Sequence, residues 1–160
     1  MTPRPTITAI VCAYNEARYL GPCLHSLLAQ TRPPDELIVI DNASTDDTGA
    51  IARHVPGVRV MHEPQRGLVV ARETGRLAAQ SDILAYVDAD CRAPLQWLER
   101  IERRLVRHEA AVAVTGPYRF YDWDWSGRAL IRAYDWVVAP PTHALVHHGL
   151  GVGAVLYGGN

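Results

Sequence analysis

The sequence alternates between short apolar runs rich in β-branched residues and segments whose apolar residues recur at helical spacing. The runs cover residues 7–12, 37–40, 58–61 and 83–87, and amphipathic segments lie between them. Short runs of this kind are typical of strands buried on both faces, and the segments between them are long enough for helices. The alternation predicts an α/β fold, in which a mostly parallel sheet carries helices on both faces.

The alternation of predicted strands and helices ends in the last third of the chain. Residues 111–114 form one more apolar run, predicted as a fifth strand, and Gly116 follows it. Beyond Gly116 the sequence turns aromatic and acidic, and residues 127–138 are predicted as an amphipathic helix. We therefore expect a different structural region to begin near residue 117.

The basic residues narrow the range of functions. All 16 are arginine, since the sequence contains no lysine, and they are balanced by 17 acidic residues. The missing lysine excludes a P-loop lysine and a Schiff base with pyridoxal phosphate. A net charge of -1 gives no sign of nucleic-acid binding by bulk charge. Any cationic role falls to arginine or to a metal ion.

Polar side chains follow three of the predicted strands. They occupy residues 14–16 after the first strand, 41–42 after the second and 88–90 after the fourth. The carboxyl ends of parallel strands lie along one edge of the sheet, where ligands bind in open α/β folds. Three polar clusters on one edge predict a binding site.

Asp88 and Asp90 are the sharpest candidates within these clusters. Carboxylates at i and i+2 after a buried strand can turn toward one hard cation, and Mg²⁺ or Mn²⁺ often takes one or two carboxylates together with substrate phosphates. Arg72, near a predicted helix start, suits anionic oxygens. A solvated acidic turn and a surface arginine remain open as the alternative interpretations.

Asp41 and Tyr14 are candidates for contacts to a nucleotide. Asp41 can bind an imide N–H or a ribose hydroxyl, or it can simply form an Asx turn. Tyr14 can stack on a base, or it can be an aromatic residue at the border of the core.

Taken in order, these segments resemble family 2 glycosyltransferases, which are inverting GT-A enzymes that use nucleotide-diphosphate sugars. The matching text comprises residues 10–16 (IVCAYNE), 26–31 (SLLAQT), 36–48 (ELIVIDNASTDDT), 66–75 (RGLVVARETG) and 87–90 (VDAD). The resemblance covers roughly residues 6–110 and involves several linked motifs. It implies a Rossmann-like GT-A domain that is incomplete on its acceptor side.

The resemblance also implies roles for individual residues. Those expected to bind the nucleotide-sugar are Ala13, Tyr14, Glu16, Asp41, Arg72, Asp88 and Ala89. Within this set Asp41 would contact the base and Arg72 the diphosphate region. Asp90, with Asp88, would hold Mg²⁺ or Mn²⁺ against the diphosphate. Glu73 departs from the family, which often has asparagine after the arginine.

The implied reaction is transfer of a sugar, with inversion, from a UDP-, GDP- or TDP-sugar to a hydroxyl acceptor such as a glycan or a lipid-linked sugar. This is a hexosyltransferase-like activity (EC 2.4), and it suggests a role in cell-envelope polysaccharide synthesis. We expect a cytoplasmic location, no nucleic-acid partner, and peripheral contact with the cytoplasmic face of the membrane through residues 127–150.

The end of the chain resembles a segment that precedes the acceptor-side helix of the family, whose general base comes later. We therefore expect a truncated chain, with the base beyond Asn160 and no catalytic base assigned within it. Residues 1–116 are predicted as the nucleotide-sugar-binding domain and 117–160 as the start of the acceptor-side region.

Two alternatives stay open. One is a non-catalytic or fragmentary nucleotide-sugar-binding module that lacks the general base. The other, less favoured, is a sugar-nucleotide pyrophosphorylase. Such enzymes carry a glycine-rich basic loop after the first strand, and residues 12–16 do not form one.

Overall fold

The computed structural model describes residues 3–108 and 111–116 and the backbone of Val155–Tyr157. Nearly all of these belong to one compact unit made of Met1–Val114 and Ala154–Asn160, and the second unit, Thr115–Gly153, is described only at residues 115 and 116. The strands are β1 (Ile7–Ala13), β2 (Glu36–Asp41), β3 (Val58–His62), β4 (Ile83–Asp88), β5 (Ala113–Val114) and β6 (Val155–Tyr157). The helices are α1 (Ala17–Leu28), α2 (Thr48–His54), α3 (Leu68–Ala78) and α4 (Trp97–Arg107). The predicted division at residue 116 stays a prediction.

The described strands form one sheet in the order β3-β2-β1-β4-β6-β5. β1 lies between β2 and β4, and the four strands β1 to β4 are parallel, which confirms the predicted α/β class. β6 pairs antiparallel with both β4 and β5. The predicted fifth strand is therefore reduced to two residues at the edge, and the strand beside β4 is one that the sequence pattern did not predict. That strand is only three residues long and lies in a glycine-rich segment, so it carries little periodic signal.

Helices cover both faces of the sheet, as predicted. On one face, Ala9 and Val11 of β1 pack against Leu20 and Leu24 of α1, while α2 and α4 cover the flanking strands. On the other face, Ile10 and the isoleucines of β2 pack against α3. Within the described ranges, no helix combines the length and the apolar character needed to cross a membrane.

Helix α3 contacts the sheet through small residues. It buries only Ala71 and Gly75, whereas its larger apolar residues Leu68 and Leu77 are 51% and 69% exposed. A Cβ atom added at Gly75 would lie 2.6 Å from Cγ2 of Ile10, so the helix axis comes too close to β1 for any larger residue. Small residues at this contact bring the helix that carries Arg72 close to the sheet.

Gly75→Ala is therefore expected to destabilise the protein even though alanine is the better helix former. The added methyl group overpacks the core against β1, at a cost of about 1–3 kcal/mol, which exceeds the gain of about 1 kcal/mol in helix propensity. Gly21→Ala in α1 is the matched control, because nothing lies within 4 Å of a Cβ atom added there. Urea unfolding should show a lower free energy of unfolding for Gly75→Ala and a slightly higher one for Gly21→Ala. An equal increase in both variants would contradict the close approach of α3 to β1.

A buried cation connects three parts of the chain. The side chain of Arg32 is 6% exposed and forms ion pairs with Asp35 at 2.7 Å and with Glu102 of α4 at 2.9 Å. Its Nη2 atom also donates a hydrogen bond to the carbonyl oxygen of Pro5, at 3.0 Å. Arg32 thus joins the start of the chain and the loop before β2 to α4.

Candidate active site

The polar clusters predicted at the strand ends come together. β1 is hydrogen-bonded to β2 and β4, with Ala13 opposite Asp41 and Cys12 opposite Asp88. The ends of these three strands are therefore level, and residues 14–16, 41–42 and 88–90 leave the sheet along one edge. This placement is the one that the strand pattern predicted for a site.

Asp41 ends β2 in a tightly packed position. It is 7% exposed, and its Oδ1 atom accepts a hydrogen bond from the backbone N–H of Ser44 at 3.2 Å. The Nδ1 atom of His62 lies 3.6 Å from the other oxygen, Oδ2. A Cβ atom added at Gly49 would lie 2.4 Å from Oδ2. The local-turn interpretation is therefore correct for one oxygen of Asp41, and the carboxylate is held in one orientation.

The segment after β1 is braced by the loop after β2. The backbone N–H of Asn15 donates to the Ser44 hydroxyl at 3.1 Å, and that of Thr45 donates to the Asn15 side-chain oxygen at 2.8 Å. The N–H of Glu16 donates to the Thr48 hydroxyl at 2.8 Å. These bonds cross between the two loops, so the first two polar clusters form one rigid unit.

These contacts also determine where α2 begins. In the sequence, Asp47 stands three residues after Ser44, a spacing that predicts a helix cap at Ser44. In the structure Ser44 bonds Asn15 instead, and the helix begins at Thr48. The carboxylate of Asp46 accepts from the Thr48 N–H at 3.0 Å and from the Ala17 N–H at 3.2 Å. Asp46 therefore accepts hydrogen bonds from the first turns of both α1 and α2. Ser44 instead holds the segment that follows β1, through its bond to Asn15.

Arg72 reaches the site from α3. Its Nη2 atom lies 3.2 Å from Oδ1 of Asp88, and both side chains keep about two fifths of their surface exposed (41% and 36%). The backbone carbonyl of Arg72 accepts a hydrogen bond from the Tyr86 hydroxyl at 3.1 Å. The surface-pair interpretation of Arg72 is correct in part, since its acidic partner is one of the site aspartates.

Asp88 and Asp90 flank an inward-facing residue. Ala89 between them is 3% exposed, whereas Asp90 lies at the surface. The buried alanine anchors the turn after β4 and leaves the two carboxylates on its outer side.

Glu16 shows that negative charge gathers in this region. Burial raises the pKa of Glu16 above its usual range, and the negative charges of Asp90 and Asp46 raise it further. Carboxylates from different strand ends are therefore close enough to repel one another. A cation bound between them would relieve that repulsion.

Tyr14 has a cationic neighbour, Arg66, which was not among the predicted site residues. The guanidinium carbon of Arg66 lies 4.0 Å from the centroid of the Tyr14 ring, within cation–π distance. The loop that carries Arg66 is fixed by Asn42, whose amide donates to the Gln65 carbonyl at 2.7 Å and whose oxygen accepts from the Gly67 N–H at 2.8 Å. One signal was present in the sequence: Arg66 begins one of the family-like segments.

The site fits a cation that is shared with a ligand. Among the described residues, no group of three or more histidine, cysteine, aspartate or glutamate side chains is arranged to hold a metal ion. Asp88 and Asp90 still supply two carboxylates beside Glu16. A Mg²⁺-type ion commonly takes one or two carboxylates and completes its shell with water and phosphate oxygens.

Cys12 and Cys23 near the site are inert thiols. Burial raises the pKa of Cys12 to about 11 and that of Cys23 to about 12. All three cysteines are free. Neither Cys12 nor Cys23 is suited to act as a nucleophile near neutral pH.

The sequence model of a family described as "Glycosyl transferase family 2" matches residues 8–153. Glycosyltransferase AglE of Haloferax volcanii is 37% identical over 103 residues, which make up 60% of this chain and 34% of that protein. Glycosyltransferase GlyA of Streptococcus pneumoniae is 32% identical over 118 residues, or 71% of this chain and 17% of that protein. The chain spans about a third or less of the length of these relatives.

Solved structures show the same fold. The mannosyltransferase PcManGT from Pyrobaculum calidifontis, in complex with GDP-Man and Mn²⁺, matches with a TM-score of 0.77 and 26% identity over 98% of this chain and 45% of that one. Glucosyl-3-phosphoglycerate synthase from Mycobacterium tuberculosis, in complex with Mn²⁺, UDP and phosphoglyceric acid, matches with a TM-score of 0.70 and 23% identity over 96% and 56% of the two chains. Both support the GT-A architecture expected from the sequence.

Proposed function

The chain belongs to glycosyl transferase family 2, and from this membership we propose that it binds a nucleotide-diphosphate sugar and takes part in transferring that sugar to a hydroxyl acceptor. The observation that carries the proposal is the convergence of three polar strand ends on one edge of the sheet, with Arg72 beside Asp88. In open α/β sheets this edge is where nucleotides bind.

We assign the nucleotide to the rigid unit formed by the ends of β1 and β2. Asp41 keeps its carboxylate in a fixed orientation and would accept a hydrogen bond from the base. Tyr14 and Glu16 would line the same pocket, with Ala13 beneath them at the end of the strand. This arrangement suits recognition of a base edge, because a fixed acceptor rejects groups that cannot donate to it.

The diphosphate would lie between Arg72 and the acidic pair. Arg72 supplies the positive charge that a lysine-free chain must obtain from arginine, and Asp90 with Asp88 would hold Mn²⁺ or Mg²⁺. The complex of PcManGT contains GDP-Man and Mn²⁺, which supports a divalent cation in this fold. When bound, the cation would stabilise the negative charge of the leaving nucleoside diphosphate.

Transfer with inversion also needs a general base near the acceptor hydroxyl. We assign none of the described carboxylates to this role, because those at the strand ends serve the nucleotide and cation sites. The acceptor, proposed to be a glycan or a lipid-linked sugar, and a cytoplasmic role in making envelope polysaccharide remain parts of this proposal. The predicted membrane segment 127–150 lies outside the described residues.

The second candidate is a nucleotide-sugar-binding module without transfer activity. The observation that favours it is that the described carboxylates at the strand ends belong to the proposed nucleotide and cation sites, so none of them is assigned as a general base. A turnover assay of the 160-residue chain beside a longer chain that spans the full length of the relatives separates the two. Transfer by the longer chain alone would place the base beyond Asn160.

Calorimetric titration with UDP-, GDP- and TDP-sugars, with and without MnCl₂, tests donor binding directly. We expect one nucleotide class to bind, more tightly when Mn²⁺ is present. If a folded sample binds none of them under either condition, the proposal fails.

Arg66→Ala is expected to weaken donor binding about tenfold and to lower the free energy of unfolding by less than about 1 kcal/mol, because the contact of the exposed guanidinium with the Tyr14 ring is lost. The variant also deletes a cation beside the proposed nucleotide pocket, and a cation in contact with a bound nucleotide contributes about 1–2 kcal/mol to its affinity. Arg18→Ala is a matched control, because Arg18 also lies over a tyrosine ring, that of Tyr19, at 5.3 Å. An equal effect of both variants on donor affinity would assign no special role to Arg66.

A further inference from the structure

A stripe of positive charge runs along the exposed face of α4. Its four arginines recur at i, i+3, i+4 and i+7, the spacing that places side chains on one face of a helix. All four are exposed, while the opposite face of the helix is buried against the sheet. We call this set the arginine stripe: Arg100, Arg103, Arg104 and Arg107.

Little negative charge offsets the stripe. Arg103 is paired with Glu99 at 2.7 Å, and Arg100 donates only to the neutral side chain of Gln96, at 3.1 Å. Within the part of the chain that the structure describes, Arg104 and Arg107 form no ion pair. Like charges one turn apart destabilise a helix, so the stripe is unfavourable for α4 itself.

The other acid of the helix is committed elsewhere. Glu102 lies 2.8 Å from Arg4 and 2.9 Å from Arg32, and both partners are outside α4. Glu102 therefore neutralises arginines elsewhere in the fold and not those of the stripe. The exposed face keeps a net positive charge in a chain whose total formal charge is -1.

Exposed aliphatic side chains accompany the stripe. Val106 on the same helix is 59% exposed, and Leu95, just before the helix, is 61% exposed. A cluster of four basic side chains on one exposed helix face is typical of surfaces that bind anionic lipid headgroups. Arginine is also well suited to phosphate, which its planar guanidinium can bind through two hydrogen bonds.

We propose that the arginine stripe docks the protein on an anionic membrane surface, with the guanidinium groups on lipid phosphates and Val106 entering the interface. The charge complementarity of four arginines and anionic headgroups identifies the partner. A nucleic acid fits less well, because the large exposed apolar side chains beside the stripe, Leu95 and Val106, are aliphatic and cannot stack on bases. The proposal goes beyond the proposed function and does not depend on it, and it assigns membrane contact to α4 rather than to residues 127–150.

The test is cosedimentation of the 160-residue chain with vesicles of phosphatidylcholine alone and of phosphatidylcholine mixed with phosphatidylglycerol. We expect binding to the mixed vesicles, weakening as salt is raised, and little binding to phosphatidylcholine alone. The triple variant R100Q/R104Q/R107Q should lose more than about tenfold in vesicle affinity, since each arginine near an anionic surface contributes about fivefold.

The matched control is R18Q/R59Q/R76Q, which removes the same charge from exposed arginines outside α4. It should lose less than about threefold, because these side chains are not on the docking face. Val106→Ser tests the apolar contact and should weaken vesicle binding without changing net charge. Melting temperature and calorimetric donor binding, measured on every variant, separate docking from folding and from the nucleotide site.

Three results would overturn the proposal: no binding of the wild-type chain to mixed vesicles, equal losses in the two triple variants, or binding that is independent of phosphatidylglycerol. If a short RNA displaces the protein from vesicles at low concentration and binds it more tightly, the stripe is a nucleic-acid site instead. Should the triple variant unfold, the double variant R104Q/R107Q carries the same test with the paired Arg103 and its Glu99 intact.

Discussion

Asp90→Asn is expected to remove the Mn²⁺-dependent part of nucleotide-sugar binding. If Asp90 ligates the cation, replacing its charged oxygen with a neutral one should lower donor affinity in MnCl₂ by about a hundredfold or more, since even residues that only orient metal ligands contribute 10–100-fold. Calorimetric titration of the donor, with MnCl₂ and again with EDTA, measures the effect.

The EDTA arm distinguishes a cation ligand from a residue that merely shapes the pocket. Without a cation, Asp90 repels a diphosphate, and its negative charge also acts on Glu16. The variant should therefore bind the donor as well as wild type, or better, when EDTA is present. A residue that holds the pocket together would weaken binding in both arms.

Asp47→Asn is the matched control for this experiment. Asp47 is an exposed carboxylate that precedes α2 and makes no capping hydrogen bond through its side chain. The substitution changes net charge as Asp90→Asn does, but it should leave donor affinity within about twofold in both arms. A Mn²⁺-dependent loss in the control, or its absence in Asp90→Asn, would reject Asp90 as a ligand.

Arg32→Gln is expected to cause the largest loss of stability, about 2–3 kcal/mol. Removal of a nearly buried cation leaves the carboxylates of Asp35 and Glu102 without their shared partner and the Pro5 carbonyl without a donor. Removing one partner of a buried pair costs several kcal/mol, and the exposure of Asp35 at 45% reduces that figure here. Chemical unfolding monitored by circular dichroism measures the loss. Arg59→Gln, which breaks an exposed pair with Glu36, should cost less than about 1 kcal/mol.

The stability difference between wild type and Arg32→Gln should depend on pH in a defined direction. Burial opposes ionisation of Asp35, but hydrogen bonds from Arg32 and from the Ile7 N–H outweigh it and lower the pKa. Burial of Glu102 is likewise outweighed by hydrogen bonds from Arg4 and Arg32, and its pKa is also lowered. Groups with lowered folded-state pKa values stabilise the fold above their unfolded pKa values and lose that contribution as the pH falls through the folded ones.

The gap between the two proteins should thus be widest near neutral pH and should narrow in acid, below about pH 4. Unfolding curves recorded across this range measure the change. A gap of constant size would mean that Arg32 acts through packing of its side chain rather than through its charge.

The parallel part of the sheet was predictable because each of its strands is a short run rich in apolar residues and is followed by a helix, although β3 at the edge is only partly buried. β1 and β2 are almost entirely buried, and such strands leave a clear signal in the sequence. β6 was not predictable, because three residues in a glycine-rich segment have no period to detect, and their pairing with β4 is fixed by contacts far along the chain. In α3 the large apolar side chains of Leu68 and Leu77 are exposed, and the small residues Ala71 and Gly75 contact the sheet, which apolar spacing alone does not indicate.

The positions of the candidate site residues were predictable for a topological reason: parallel neighbours end at the same edge. Contacts between loops were not, since they depend on side-chain geometry. Ser44 was interpreted as a helix cap but bonds Asn15, and the place of Arg66 over Tyr14 follows from how Asn42 holds its loop. Local sequence identifies such residues as polar without indicating which neighbour each will bind.

The late pairing of β6 has a consequence for synthesis of the protein. Ile83 of β4 is matched with Tyr157, so one side of a central strand has no partner until residue 157 has left the ribosome. An unpaired strand edge is a template for association with other chains, and β4 is apolar and almost fully buried in the finished fold. During translation, the time for which β4 stays open to aggregation is set by how quickly the residues between Val114 and Val155 are made and brought back to the sheet.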